Sequence, residues 1–231
     1  MRIVPASDSS VMVIFGDAIS DASRDLVGQL FQGLLSLRDA RVRNLHPAYA
    51  SLLVDFDPLR IGHDEIVRII EEMVARPLKM RESERRCVDI PVCYDSEFGP
   101  DLVSVAKHVG LSVEEVARAH SSAKYVVGFL GFSPGFAYLE GLPSHLAAPR
   151  LATPRRRVEA GSVGIAGEQT GVYPVSSPGG WQIIGRTPTR MFDPKAEPPS
   201  LLQLGDEVRF VRISRDEFEI ALTSIPNRRL A

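Results

Sequence analysis

Apolar positions up to Val74 follow two spacings. Val11-Met12-Val13-Ile14-Phe15 is a run of strand length. Val27, Leu30, Phe31, Leu34 and Leu37 then recur at i, i+3, i+4, i+7 and i+10, which is one face of a helix. Two strand-like pieces follow at Val42–Leu45 and Ser51–Phe56, the second ending in the turn-prone Asp57-Pro58. Ile66, Ile69, Ile70, Met73 and Val74 mark a second amphipathic helix, and Pro77 discourages its continuation. The order β-α-β-β-α predicts most of a ferredoxin-like sandwich, with helices on one side of an antiparallel sheet.

From Lys79 to Arg86 the composition turns charged, as in a linker, and divides a small α+β domain (1–80) from a second domain (87–231), with 81–86 between them. Val88, Ile90, Val92 and Tyr94 alternate with Asp89, Pro91 and Cys93, a strand that Pro91 confines to an edge. Asp101–Val109 and Ser112–His120 read as short helices around Gly110, and Ser112 with Glu115 forms a capping-box pattern. Beyond Lys124 short apolar pieces alternate with Gly and Pro: Tyr125–Leu130, Ser162–Ala166, Gly171–Val175, Trp181–Ile184 and Val208–Ile213. That rhythm predicts an antiparallel barrel or sandwich.

Composition narrows the classes. The 231 residues are 44% hydrophobic and 24% charged, and 27 basic against 29 acidic side chains leave a net charge of −2. This argues against a nucleic-acid module held by bulk positive charge. No apolar run approaches the roughly 18–20 residues that span a bilayer. The sequence MRIVPASDSS lacks a signal-peptide layout, so a cytoplasmic location is expected. Cys87 and Cys93 are too few for a disulfide framework, and no metal site is expected.

Several motifs fail on context. Val105–His120 resembles a helix-turn-helix, but Glu114 and Glu115 would meet phosphate with like charge. Gly161, Gly164 and Gly167 are not followed by a helix, and no G-x-x-x-x-G-K-[ST] loop occurs. Ser133 lacks the setting of a nucleophile elbow. Three signals remain. The stretch Gly128–Leu139 interleaves glycines with Phe129, Phe132, Phe136 and Tyr138, which suits either core packing or a face that another surface approaches closely. Arg150, Arg155, Arg156 and Arg157 beside Pro154 suit a carboxylate or phosphate, or else form a solvated basic turn. His120 is either a general base or a complement to its helix dipole.

The stretches Gly131–Leu139, Gly161–Gly167, Gln169-Thr170-Gly171-Val172-Tyr173-Pro174, Ser177–Trp181, Ile184–Pro188 and Phe192-Asp193-Pro194 together resemble one family. It contains the 5-oxoprolinase B subunit, the sporulation kinase inhibitor KipI and proteins labelled allophanate hydrolase subunit 1. Ile90–Tyr94 and Gly99–Leu102 match it too; Glu140 and Asp95-Ser96 depart from its usual pattern. The resemblance implies an α+β chain with a C-terminal cyclophilin-like β-barrel. It also implies a direct 5-oxoprolinase C-subunit partner and an A subunit completing the enzyme. The assembled activity would open 5-oxo-L-proline to L-glutamate with ATP as cosubstrate, Mg being the candidate companion ion. On this resemblance His120, Arg155 and Gln169 are expected to be catalytic. Phe132, Phe136, Arg157, Thr170, Tyr173 and Trp181 are expected to bind substrate. A KipI-like inhibitor of a sensor histidine kinase, or a component of a urea- or allophanate-type complex, are the alternative functions.

Overall fold

Strand β2 (Ser10–Ile14) alternates buried Val11 and Val13 with half-buried Met12 and Ile14, as expected for a sheet with one covered face. It pairs with β1 (Arg2–Ser7) on one side and β4 (Ser51–Phe56) on the other; β3 (Val42–Pro47) completes the order β1-β2-β4-β3, antiparallel throughout. Leu52, Val54 and Phe56 share the buried face with Val11 and Val13. Leu30 and Leu34 of α1 (Asp21–Leu37) and Ile66 and Ile70 of α2 (His63–Ala75) pack against it. Helix α1 starts at Ser20, whose side chain accepts from the Ser23 N–H, and stops at Arg38, which takes a left-handed conformation. The sandwich is ferredoxin-like with one substitution: β1, entering by a hairpin, holds the sheet position beside β2. Its residues carry no strand signal because five of the six are exposed.

The computed structural model describes residues 1–18, 20–76 and 86–224. The expected linker at 81–86 therefore lies, except for Arg86, outside the described residues. The chain divides into two compact units, Met1–Glu84 and Arg85–Ala231. Among the described residues no helix is long and apolar enough to cross a membrane.

The second unit opens with β5 (Cys87–Val92), α3 (Leu102–Val109) and α4 (Val113–Ser122). Ser112 and Glu115 make the reciprocal capping box expected from their spacing. Next come β6 (Tyr125–Leu130), β7 (Ala137–Glu140), β8 (Arg155–Val158), β9 (Ser162–Ala166), β10 (Gln169–Val172), β11 (Ser177–Gly179), β12 (Gln182–Arg186) and β13 (Glu207–Arg212), followed by α5 (Arg215–Ser224). Seven strands form one sheet in the order β12-β9-β10-β7-β6-β13-β5, and β11 pairs with β8 separately. The two edge strands meet where Cys93 and Arg186 exchange backbone hydrogen bonds of 2.9 Å, so the sheet nearly closes into a barrel. Pro91 sits in edge strand β5, the position its missing N–H allows. Val92, Tyr125, Leu139, Val163, Ile165, Ile184 and Phe210 are among the residues that fill the barrel.

Candidate functional site

Strands β6 and β7 form a hairpin in which Leu130 faces Ala137, leaving Gly131–Phe136 as its loop. Three backbone bonds fold that loop tightly: Ser133 N–H to Gly131 O, Phe136 N–H to Ser133 O, and Gly131 N–H to Phe136 O. Phe132 lies at φ 66°, a strained conformation for a residue with a Cβ, and is 61% exposed. Below it Phe136, Tyr173 and Trp181 are buried in a satellite cluster with Val158 and Ile183. The rings meet edge to face: Phe132–Phe136 at 5.5 Å, Phe136–Tyr173 at 5.3 Å and Phe136–Trp181 at 5.4 Å. Tyr138, stacked on Phe129 at 4.2 Å, extends the face. The four expected aromatic binding residues therefore come together, three as a buried floor and Phe132 as an exposed tip. Burial raises the Tyr173 and Tyr138 hydroxyls above their ordinary pKa; Arg150 opposes this at both and Arg155 at Tyr173, which puts two guanidinium charges near the rings.

Strand β10 separates two other expected residues from this face. A Cβ on Gly171 would touch the Phe136 and Trp181 rings, so odd positions of β10 point to the aromatic face and even positions to the barrel interior. Gln169 is thus on the aromatic side. Thr170, fully buried, points inward to His120, which is also 0% exposed. Thr170 Oγ1 donates to Gly164 O at 2.9 Å, so it accepts from His120 Nε2–H, also at 2.9 Å. Nδ1 is then the acceptor and takes the Tyr94 hydroxyl proton at 2.7 Å. The ring stacks on Phe210 at 4.7 Å, and burial lowers its pKa to about 3. This is a neutral imidazole with a fixed tautomer, with no ring nitrogen left over for a substrate.

Arg155, Arg156 and Arg157 do not sit on a turn, as their neighbourhood to Pro154 suggests, but on strand β8, while Arg150 precedes that strand. Arg155 Nη2 donates to Asp101 Oδ1 at 2.6 Å, while Asp101 Oδ2 accepts from the Ile183 N–H at 2.6 Å. Asp101 is only 6% exposed, and its own N–H donates to Ile183 O, so it ties β8 and β12 to the start of α3. Arg157 is exposed and paired with Glu159 at 2.7 Å. Arg156, on the other side of β8, is exposed. Asp101 and Tyr94 carry no chemical signal in the sequence, because neither belongs to a spacing pattern that announces its partner. Among the described residues no group of three or more His, Cys, Asp or Glu is arranged to hold a metal ion.

A ferredoxin-like unit and a nearly closed barrel with an arginine-edged aromatic face define a carboxyltransferase-type chain. Residues 1–202 match the family described as "Carboxyltransferase domain, subdomain C and D". The chain belongs to that family and, within it, to the 5-oxoprolinase B-subunit proteins. It is 43% identical to the 5-oxoprolinase B subunit of Bacillus subtilis (strain 168), covering 94% of this chain and 95% of that protein. It is 41% identical to the B subunit of the same enzyme from Haemophilus influenzae, covering 91% and 97%. The crystal structure of TTHA0988 superposes with a TM-score of 0.80 at 36% identity, covering 89% of this chain; this chain spans only 40% of that longer one.

Proposed function

We propose that this chain is the B subunit of an ATP-dependent 5-oxoprolinase that opens 5-oxo-L-proline to L-glutamate together with A and C subunits. The observation that carries the reading is the 43% identity to the Bacillus subtilis protein, nearly end to end in both chains. The chemistry fits the residues on the aromatic side of β10. A lactam is a poor electrophile; ATP activates its carbonyl oxygen by phosphorylation before water attacks, so the site needs charge stabilisation and dryness more than a strong nucleophile. Phe136, Tyr173 and Trp181 supply the dry floor, and Phe132 at the loop tip is the group a C subunit covers. Arg155, aimed by Asp101, offers positive charge, and Gln169 on the same side of β10 orients the small amide. Arg157, already shared with Glu159, contributes charge to the edge. His120 and Thr170 act from within the barrel by holding β10 in register, which makes them positioning residues. ATP is placed on a partner or across an interface.

The test is reconstitution of the purified chain with its A and C subunits, following ATP hydrolysis with and without 5-oxoproline. Hydrolysis that requires 5-oxoproline and all three subunits is the expected result. Robust 5-oxoproline-dependent turnover by the isolated chain, or none by the full assembly, overturns the proposal.

A further inference from the structure

Beside the aromatic face lies a cleft of about 180 Å³, lined among others by Phe98, Arg155, Val158, Ser162, Ile183 and Arg186. Its balance of charges is unusual. Three carboxylates belong to it or border it, and each is already engaged. Glu159 is held by Arg157, which together with Arg186 lowers its pKa. Glu97 pairs with Arg215 at 2.9 Å. Asp101 accepts from both Arg155 and the Ile183 N–H. The donors are not matched in the same way. Arg186 gives its Nε–H to Ala160 O at 3.0 Å, and among the described residues nothing accepts from its terminal nitrogens. Arg155 Nη1 is buried and also has no acceptor among the described residues. A buried guanidinium N–H without an acceptor is costly, because its hydration is lost and nothing replaces it.

Both guanidinium groups are held in place rather than free to swing into solvent. Asp101 fixes Arg155, and the Ala160 carbonyl fixes Arg186. The neighbouring backbone is equally constrained: a Cβ at Gly99 would overlap the Ile184 carbonyl, and Arg186 itself is locked to Cys93 by two backbone bonds. Two pre-oriented forks with spare N–H groups side by side in one small cleft suit one compact oxyanion. We propose that Arg155 and Arg186 form a binding site for a small oxyanion, a carboxylate or a phosphate, with Arg186 as its principal ligand. The site stands independently of the lactam reading, since binding by the chain alone is its measure.

Trp181 is the single tryptophan of the chain and clusters with Val158 and Ile183, both of which line the cleft, so its fluorescence reports on occupancy. The full chain is titrated separately with inorganic phosphate, acetate and L-glutamate, with chloride at matched ionic strength as background. Saturable binding of at least one oxyanion is expected with Kd of about 1 mM or tighter. The ranking of phosphate against the two carboxylates tells which chemistry the cleft selects. Arg186→Gln is expected to weaken binding at least tenfold, whereas Arg156→Gln, the same change in net charge at an exposed residue outside the cleft lining, leaves it unchanged. If Arg186→Gln does not fold, Arg155→Lys replaces it; a lysine keeps the charge beside Asp101 but loses the planar fork whose second nitrogen faces the anion, and a several-fold loss is expected. No saturable binding of any of the three anions overturns the proposal. So does equal loss in Arg156→Gln, which would mean bulk charge, or full binding by a folded Arg186→Gln or Arg155→Lys chain.

Discussion

At the scale of single residues, burial decides what the charged and titratable groups can do. His120 titrates near 3 in the native chain and near its ordinary 6.5 when unfolded. As pH falls below 6.5 the unfolded chain therefore takes a proton that the native one refuses, and stability is lost as pH drops. Above about 6.5 this contribution is constant; between pH 7.5 and 5.5 it removes about 1.4 kcal/mol. Urea unfolding at the two pH values checks this: His120→Gln should shrink the difference by about that amount, and an unchanged difference would refute it. Asp101 carries a similar lesson for Arg155. The sequence allows a solvated basic turn at this point, yet Arg155 neutralises a nearly buried carboxylate. Arg155→Ala is expected to lower stability as well as activity, since it leaves Asp101 without its cation. An unchanged thermal midpoint for that variant would contradict this.

At the scale of elements, the hydrophobic pattern locates nearly every strand and helix whose buried face is continuous: β2, β4, α1, α2, α4, β6 and β9. It is silent on β1, β7, β8 and β11. The first is mostly exposed, and the others are three or four residues long, too short for alternation to show. Helix α5 escapes it for a related reason: its Phe218 is buried against Phe98, while Ile220 and Leu222 are exposed. The candidate site is legible as a set of residues but not as a place. Strand alternation puts Thr170 with His120 inside the barrel and Gln169 with the rings outside it, a division that depends on register and cannot be read from spacing alone. Close approach of elements gives a direct test. Gly99 lies against the backbone of β12, where no flexible side chain can yield. Gly99→Ala should cost about 1–3 kcal/mol, read from the urea midpoint; a change within about 0.5 kcal/mol would show that the turn can move aside.

At the scale of the whole molecule, the exposed tip of the β6–β7 hairpin is the place to examine assembly. Phe132 is a large ring in solvent on a strained backbone, and aspartate tolerates that left-handed conformation better than phenylalanine. Phe132→Asp should therefore leave the thermal midpoint unchanged or slightly raised while abolishing co-purification with the C subunit, as loss of a buried interface anchor does. Undiminished co-purification would remove this loop from the interface. The pairing of β5 with β13 has a different kind of consequence. These are the first and last strands of the second unit, and they lie side by side and parallel. A nascent chain leaving the ribosome can complete its first unit while the second is still being made, but the barrel cannot close until Arg212 has emerged. At about 5–20 residues per second, the 128 residues from Glu84 to Arg212 take roughly 6–25 s. During the later part of that interval β6 and the aromatic hairpin it begins are made but still lack their partner β13, so timely delivery to a chaperone or to a partner chain matters most for this half of the molecule.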